Sequence, residues 1–535
     1  MRSSPTGGLA LARGPTTGVA SRWAPLPEGA GIEDVGAAEE ARGGANADAE
    51  GGGRGGSRKE EAGKGRAQVD SGGPRVEDTD GADTSAPPVA APTFVLAGGG
   101  SEGEVGDAGA WSARLYGHLL DGGDVTGDGQ VRVVVLSTAE ETDWLPSYFV
   151  DLGADGAENL RVASRDAAEE AGERVDTADA VFLKGGDQGE YYDLWNDTAL
   201  EGALRGLVAR GGGLGGTSAG AMSQGALALA GGEDLVSADV LEDACTAYLD
   251  DRDGGSGLKT DFFDFVPALV DTHFVERARL GRLAGALARA VDEGQAEAPL
   301  GIGIEVQTGL WIHQGRAEVI GEGSVTLLHT DGAPAPTRVC GAPLDWRGLG
   351  LDRLIEGLGF ELADPRSVSG ALALESIPAL GAIEAEPGFA ARSDDNADEE
   401  AFSWVVERAP DPYGGHSGGG AARLLGAAGL LEAQDRDRRA ANDEALFQAL
   451  AEGGLGIGIL ADGQSARGVE GGRLTVSATG ERPQSALVID VRENRGVAVG
   501  AAASVHDAGD GGLRPAAILG ATVDLVGLGE GLALD

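Results

Sequence analysis

Short apolar runs alternate with segments of helical periodicity in the first half of the chain. The apolar runs lack a polar face, as buried strands do, and they cover residues 93–100, 131–139, 159–165 and 178–188. Apolar residues at helical spacing mark residues 145–154 and 197–213. Strands that alternate with helices in this way predict a mostly parallel sheet covered on both faces, and therefore an α/β fold in three layers.

The periodicity is absent from residues 1–90 and weakens after residue 330. We expect residues 1–90 to be a disordered low-complexity tail, because so polar a segment cannot bury enough apolar surface to fold. Residues 91–365 are predicted to form the catalytic domain and residues 366–535 a C-terminal α/β extension. The sequence LGIGI occurs after a helical segment in both parts, at residues 300–304 and 455–459. The extension is therefore either a degenerate partial repeat or a chance likeness in a chain rich in Gly, Ala and Leu.

The net charge of the chain excludes some classes of binding partner. The 87 acidic and 41 basic residues leave a net charge of −46, which repels nucleic acid and anionic membranes. No apolar run approaches the roughly 20 residues that span a bilayer. The N-terminal apolar stretch is too short for a signal peptide, so a cytoplasmic location is expected unless the start codon is misassigned. Cys245 and Cys340 form no zinc motif but allow one disulfide, and no metal or cofactor is expected.

Glycines surround one serine in GGGLGGTSAGAMSQG, residues 211–225, and residues 216–220 fit the pattern G-x-S-x-G. This pattern is typical of a nucleophile elbow, a tight turn between a strand and a helix that exposes a strained serine. We predict that Ser218 is the nucleophile, that a helix follows over residues 219–230, and that the amide of Ala219 stabilises the oxyanion.

A nucleophilic serine needs a base, and His273 is the best placed of the six histidines. It follows the short strand ALVD, so we expect it to meet Ser218 at one edge of the same sheet. An arginine-rich helix is predicted directly after it, over residues 276–291. Near Asp271, Arg277 and Arg282 are candidates for holding a carboxylate, whereas a solvated helix face explains Arg279.

Four motifs together resemble the cyanophycinase family of serine peptidases. They are GGDQ at 185–188, GTSAGA at 216–221, DTHFVERARLGRL at 271–283 and LGIGIEVQTGLWIHQGRAEVIGEGSVTLL at 300–328. The resemblance covers about residues 93–365. It implies a flavodoxin-like sandwich related to the class I glutamine amidotransferases, and cleavage of cyanophycin, a polyaspartate with arginine on its β-carboxyls. Members of the family are commonly dimers, so a homodimer is expected.

The resemblance also implies roles for residues around Ser218 and His273. Gly186 and Ala219 would supply the oxyanion amides. The substrate pocket would be formed by Gln188, Asp271, Thr272, Arg277, Arg279 and Arg282.

Two positions depart from the family pattern. Thr272 stands where the family usually has Gln, so one polar contact to the substrate is lost or shortened. The family reads G-I-D-E-x-T, and its Glu orients the histidine, but Val306 occupies that position. Glu305, one residue earlier, should face the other way on a strand. Glu233 is an alternative, so the orienting acid is either Glu305 or Glu233.

The function predicted from the sequence is therefore that of a serine-type peptidase acting through a Ser–His acyl-enzyme on cyanophycin or on β-aspartyl and arginyl peptides. The alternative is a catalytically impaired relative that serves as a binding or scaffold protein. Glutamine amidotransferase chemistry is disfavoured because it needs a cysteine at the elbow, and neither Cys245 nor Cys340 follows a glycine-rich turn.

Overall fold

The apolar runs of the sequence are buried strands in the computed structural model. The model describes residues 91–533, with gaps at 105, 140–143, 231–234, 247–248, 250–256, 376–401, 406–443, 445, 449, 453–456, 462–464, 471–472, 479–482 and 506–512. The predicted tail of residues 1–90 and the candidate acid Glu233 lie outside the described residues.

The N-terminal elements form a parallel sheet covered by helices, which confirms the predicted α/β fold. In chain order they are β1 (Thr93–Ala97), α1 (Trp111–Tyr116), β2 (Arg132–Ser137), α2 (Trp144–Asp151), β3 (Gly156–Arg161), α3 (Arg165–Asp176), β4 (Ala180–Leu183), α4 (Gln188–Trp195), α5 (Ala199–Ala209) and β5 (Gly213–Thr217). The parallel order is β1-β5-β4-β2-β3. All four predicted strands and both predicted helices are present. Strands such as β4 are apolar throughout because both faces of this sheet are covered.

The segment after Ser218 crosses to a second sheet. It contains α6 (Ala219–Met222), β6 (Gly225–Leu229), α7 (Ser237–Glu242), β7 (Leu258–Lys259), β8 (Val266–Asp271), α8 (Leu280–Asp292) and β9 (Leu300–Ile304). Strands β6, β8 and β9 run parallel.

Two helix predictions in this segment were wrong in extent. The helix predicted over residues 219–230 ends after one turn, because residues 225–229 pair with β8 instead. Periodicity cannot separate a short buried strand from a buried helical segment. The helix predicted over 276–291 begins only at Leu280, because Ala278 has a positive φ of 49° and interrupts helical geometry.

Antiparallel strands extend both sheets. They are β10 (Thr308–His313), β11 (Arg316–Gly321), β12 (Ser324–His329), β13 (Trp346–Ile355), β14 (Leu358–Glu361) and β15 (Asp364–Gly370). The first sheet reads β15-β14-β11-β10-β1, followed by the parallel strands, while β12 and β13 continue the second sheet beyond β9. Apolar side chains of the two sheets pack together, among them Leu96, Ile304, Leu310 and Val325.

The described C-terminal strands belong to the same compact unit, Ser85–Asp535. They are β16 (Phe402–Val405), β17 (Ile457–Ala461), β18 (Ser465–Glu470), β19 (Arg473–Ala478), β20 (Ala486–Asp490), β21 (Gly496–Val499), β22 (Ala516–Val526) and β23 (Gly531–Ala533). Strand β22 pairs with β13, and β20 and β17 follow it in the second sheet. The second sheet therefore contains strands from both sides of the boundary expected at residue 365.

One disulfide joins Cys245, after α7, to Cys340, in the connection between β12 and β13. Disulfides persist mainly in oxidising compartments, and the cytoplasmic location expected from the sequence stays a prediction. Titration of free thiols in the purified protein would test whether it is formed. No helix in the described ranges is long and apolar enough to cross a membrane.

Candidate active site

Ser218 lies in the turn between β5 and α6, at the carboxyl end of the parallel sheet. Its backbone has φ 52° and ψ −120°, a strained conformation for a residue with a side chain. The amide of Ser218 donates to the carbonyl of Ala97 at 3.0 Å, which ties the turn to β1. A Cβ at Gly216 would lie 2.4 Å from the carbonyl oxygen of Gly220. The small residues of the motif are therefore required by the close approach of the backbone.

The imidazole of His273 contacts the hydroxyl of Ser218. Nε2 of His273 lies 3.0 Å from Oγ of Ser218, across 55 residues of sequence. The amide of His273 donates to the carbonyl of Gly98 at 2.9 Å, and a Cβ at Gly99 would lie 2.5 Å from Nε2. The glycines after β1 thus let the backbone approach the ring edge.

The two side chains meet from different sheets, contrary to the expectation of a single sheet edge. Ser218 follows β5 of the first sheet, whereas His273 follows β8 of the second. The crossing occurs because α6 is a single turn and β6 then joins β8. The ends of both strands still face each other, so the Ser–His contact forms.

The carboxylate beside His273 is that of Glu276. Its Oε2 lies 2.6 Å from Nδ1 of His273, on the side of the ring opposite Ser218. His273 has φ 48° and Ala278 φ 49°, so the chain between them forms a compact turn that carries Glu276 back to the ring. In the sequence the two residues are three positions apart, but the helix predicted over residues 276–291 begins at Glu276 and gives it no contact with His273.

Of the two carboxylates favoured by the sequence, Glu305 does not contact His273, and Glu233 lies outside the described residues. The side chain of Glu305 is fully buried, and its Oε2 accepts from the amide of Ser324 at 3.0 Å and from its hydroxyl at 2.8 Å. The same oxygen lies 3.6 Å from the guanidinium of Arg353. Glu305 therefore serves the packing of β9 against β12, and Glu276 replaces it as the candidate orienting acid.

The surroundings of His273 favour its neutral form. Burial is the main cause that lowers the pKa of His273 below its ordinary value of 6.5, and the charges of Arg277 and Arg279 act in the same direction. The hydrogen bond to Glu276 opposes these effects. A neutral imidazole with Nδ1–H donated to Glu276 leaves Nε2 free to accept the proton of Ser218.

Four of the residues expected in the substrate pocket are buried instead. Asp271 and Thr272 are fully buried, and Arg279 and Arg282 are only 6% and 3% exposed. Arg282 Nε donates to Asp271 at 2.9 Å, and Arg279 Nη1 donates to the carbonyl of Thr272 at 2.7 Å. Burial alone would raise the pKa of Asp271, but Arg282 and Arg279 outweigh it and hold that pKa below its usual value. These residues brace the segment that carries His273, and Arg279 is not on a solvated face.

This buried ion pair gives a stability prediction. Replacing Asp271 with asparagine should lower the free energy of unfolding by about 3–5 kcal/mol, because it leaves buried guanidinium charges uncompensated. Glu158→Gln is the matched control, since its ion pair with Arg174 is exposed and should contribute little to stability. Chemical denaturation measures both values. Equal losses in the two variants would contradict this account of Asp271.

Three of the residues expected at the site are accessible, namely Gly186, Gln188 and Arg277. Gly186 is exposed, and Gln188 and Arg277 are partly exposed. A Cβ at neighbouring Gly185 would lie 3.3 Å from Cβ of Ser218, so the loop after β4 flanks the serine. Within the described part of the chain, no hydrogen-bond acceptor is found for the amides of Gly186 and Ala219. The described residues contain no His, Cys, Asp and Glu cluster suited to a metal ion.

Comparisons with known proteins agree on one family. The profile of Peptidase family S51 matches residues 142–320. A cyanophycinase of Geminocystis herdmanii is 32% identical over 241 residues, which cover 44% of this chain and 79% of the relative. A cyanophycinase of Trichormus variabilis is 34% identical over 185 residues, which cover 34% of this chain and 55% of the relative. The chain thus spans only about half the length of this second relative.

Among solved structures, a peptidase from an acI-B1 Actinobacterium is 18% identical, with a TM-score of 0.34. The match covers 51% of this chain and 98% of that protein.

Proposed function

The chain belongs to the cyanophycinase family, peptidase family S51, and on that premise we propose that it is a serine-type peptidase with Ser218 as its nucleophile. The observation that carries the proposal is the 3.0 Å contact between Oγ of Ser218 and Nε2 of His273. The carboxylate of Glu276 lies on the other ring nitrogen. A serine, a base and an orienting acid in this order are the parts of a catalytic triad.

The proposed reaction begins with the transfer of the Ser218 hydroxyl proton to Nε2 of His273. Oγ attacks the carbonyl carbon of the substrate, and the tetrahedral intermediate collapses when His273 protonates the leaving amine. Water then attacks the acyl-enzyme in the same way, with His273 again as base, and releases the acid product. Glu276 acts as a positioning residue, because it holds the imidazole tautomer whose Nε2 is a proton acceptor.

The oxyanion of the tetrahedral intermediate would be stabilised by the amides of Gly186 and Ala219. Both flank Ser218, and both lack an acceptor among the described residues. Because α6 is only four residues long, the amides themselves, and not a helix dipole, would provide this stabilisation.

We propose a cyanophycin chain or a β-aspartyl peptide as the substrate. The similarity of the chain to two cyanophycinases supports this class. Gln188 and Arg277, which are partly exposed, are the proposed contacts to it, and Arg277 suits a substrate carboxylate. Asp271, Thr272, Arg279 and Arg282 support this pocket from behind.

The substrate class is tested by incubating the protein with purified cyanophycin, β-aspartyl-arginine and α-aspartyl-arginine. Mass spectrometry should show either release of β-aspartyl-arginine from cyanophycin or cleavage of β-aspartyl-arginine by the wild type, and neither by Ser218→Ala. Cleavage of the α-linked dipeptide alone would contradict the substrate class while leaving the serine mechanism intact. Absence of all cleavage in folded protein would favour a binding or scaffold role.

The pH dependence of kcat/KM should follow the titration of His273. The base must be neutral to accept a proton, so activity rises as pH increases through the pKa of His273. Because that pKa lies below its ordinary value of 6.5, the acid limb should fall below pH 6.5. Initial rates across the acid range on a β-aspartyl substrate measure it. An acid limb well above pH 6.5 would contradict a buried neutral base.

A further inference from the structure

The C-terminal strands repeat the arrangement of six earlier strands. Residues 300–361, the first module, place β9-β12-β13 in one sheet and β10-β11-β14 in the other. Residues 457–533, the second module, place β17-β20-β22 in one sheet and β18-β19-β23 in another. The six strands thus follow each other and pair in the same order in both modules, with β21 added to the second.

The pairing registers agree as well as the order. The hairpin β10–β11 extends from the pair Thr308↔Gly321, and the hairpin β18–β19 from Ser465↔Ala478, in which each residue lies 157 positions later. In both hairpins the strands have six residues each and are separated by two positions in the sequence. Chance likeness of composition does not reproduce a register.

The sequence agrees with this structural alignment. Arg316 pairs with Glu361 in the first module, and Arg473 pairs with Ala533 in the second. Arg473 lies 157 positions after Arg316, and Ala533 lies 172 positions after Glu361. The same offset of 157 matches Gln307 to Gln464. This offset aligns β9 with β17, whereas the second LGIGI begins two positions before β17, at residue 455.

The two modules meet about a local two-fold axis. In the antiparallel ladder of β13 and β22, Gly350↔Thr522 is the central pair, and these residues are equivalent at an offset of 172. At the same offset, Trp346 is equivalent to Ile518, and Arg353 is equivalent to Leu525. The ladder contains both Trp346↔Leu525 and Arg353↔Ile518, as a two-fold relation requires.

Hydrogen bonds between the two modules also occur in equivalent pairs. The amide of Gly348 donates to Asp524 at 2.7 Å, and the equivalent amide of Gly520 donates to Asp352 at 2.6 Å. The two glycines share the left-handed conformation, with φ of 69° and 75°. In the isologous interface of a two-fold dimer, both partners use the same surface, so every contact occurs twice with the roles exchanged. The contacts between the two modules have this form.

We propose that the second module is a fused copy of the first that occupies the surface on which a second chain would otherwise bind. Without it, β13 would be a ten-residue edge strand with apolar, buried positions, a template for pairing with another chain. The ladder to β22 covers this edge inside one chain. The protein is therefore a monomer that carries its own partner, in place of the homodimer expected from the family resemblance. This proposal is independent of the proposed function.

The mass of the wild-type protein in solution tests the proposal without any variant. Light scattering coupled to size-exclusion chromatography, over a wide range of protein concentration, should give the chain mass of 53.8 kDa throughout. A particle of twice that mass would overturn the proposal.

A cross-link tests the axis itself. In the double variant Gly350→Cys/Thr522→Cys, the introduced thiols should form a disulfide within one chain, seen as linked peptides from the monomer band of a non-reducing gel. A Cβ at Gly350 meets only the end of the Arg366 side chain, which can move. The single variants are the controls and should stay monomeric. A bond between chains, or no bond between the two positions in folded protein, would overturn the proposal.

Discussion

Replacing Ser218 with alanine is expected to lower kcat by at least about 10⁴-fold, because the variant has no nucleophile while the oxyanion amides and the binding residues remain. The fold should be preserved, since alanine keeps the Cβ and removes only the hydroxyl that contacts His273. Initial rates on a β-aspartyl substrate measure the loss. Labelling by a fluorophosphonate probe should disappear in the same variant, which reports the nucleophile even when the substrate is not the natural one.

Ser223→Ala is the matched control for this loss. Ser223 lies at the end of the same helix turn, is fully buried, and its hydroxyl donates to the carbonyl of Gly220 at 3.1 Å. Its removal should leave labelling and rate near those of the wild type. A Ser218→Ala variant that still binds the probe and turns over substrate would contradict the assignment of the nucleophile.

Replacing Glu276 with glutamine is expected to lower kcat by about 10²–10⁴-fold, because an amide no longer holds Nδ1–H of His273 as a carboxylate does. The change should also shift the acid limb of the pH profile to lower pH. The hydrogen bond that His273 donates to Glu276 raises the pKa of His273 against the effect of burial, so its removal lowers that pKa further. Rates measured across the acid range give both quantities.

Glu190→Gln is the control for the second variant. Glu190 lies exposed in the first turn of α4, near Gln188, and the same chemical change there should alter neither kcat nor the pH profile. A purely structural role for Glu276 would lower activity without moving the acid limb. An unchanged acid limb in Glu276→Gln would therefore contradict its role as a positioning residue.

Local patterns in the sequence determined the parallel strands of the first sheet and the turn that carries the serine. Continuous apolar runs predicted β1 to β4, because strands covered on both faces have no polar side. The glycines around Ser218 predicted the strained turn, since only small residues allow the backbone to approach so closely. The position of His273 directly after the strand ALVD predicted that it meets Ser218, and the two side chains are in contact at 3.0 Å.

Only the tertiary structure decided which distant groups meet. His273 and Ala278 have positive φ, and the turn that they form brings Glu276 back toward the imidazole. The hydrophobic periodicity of the sequence does not predict such a turn. The pairing of residues 225–229 with β8 replaced a predicted helix. The equivalence of the two modules became visible through pairing registers, which depend on partners far apart in the chain. The pattern of a segment indicates which of its own side chains are buried. The groups that those side chains contact depend on how distant segments pack together.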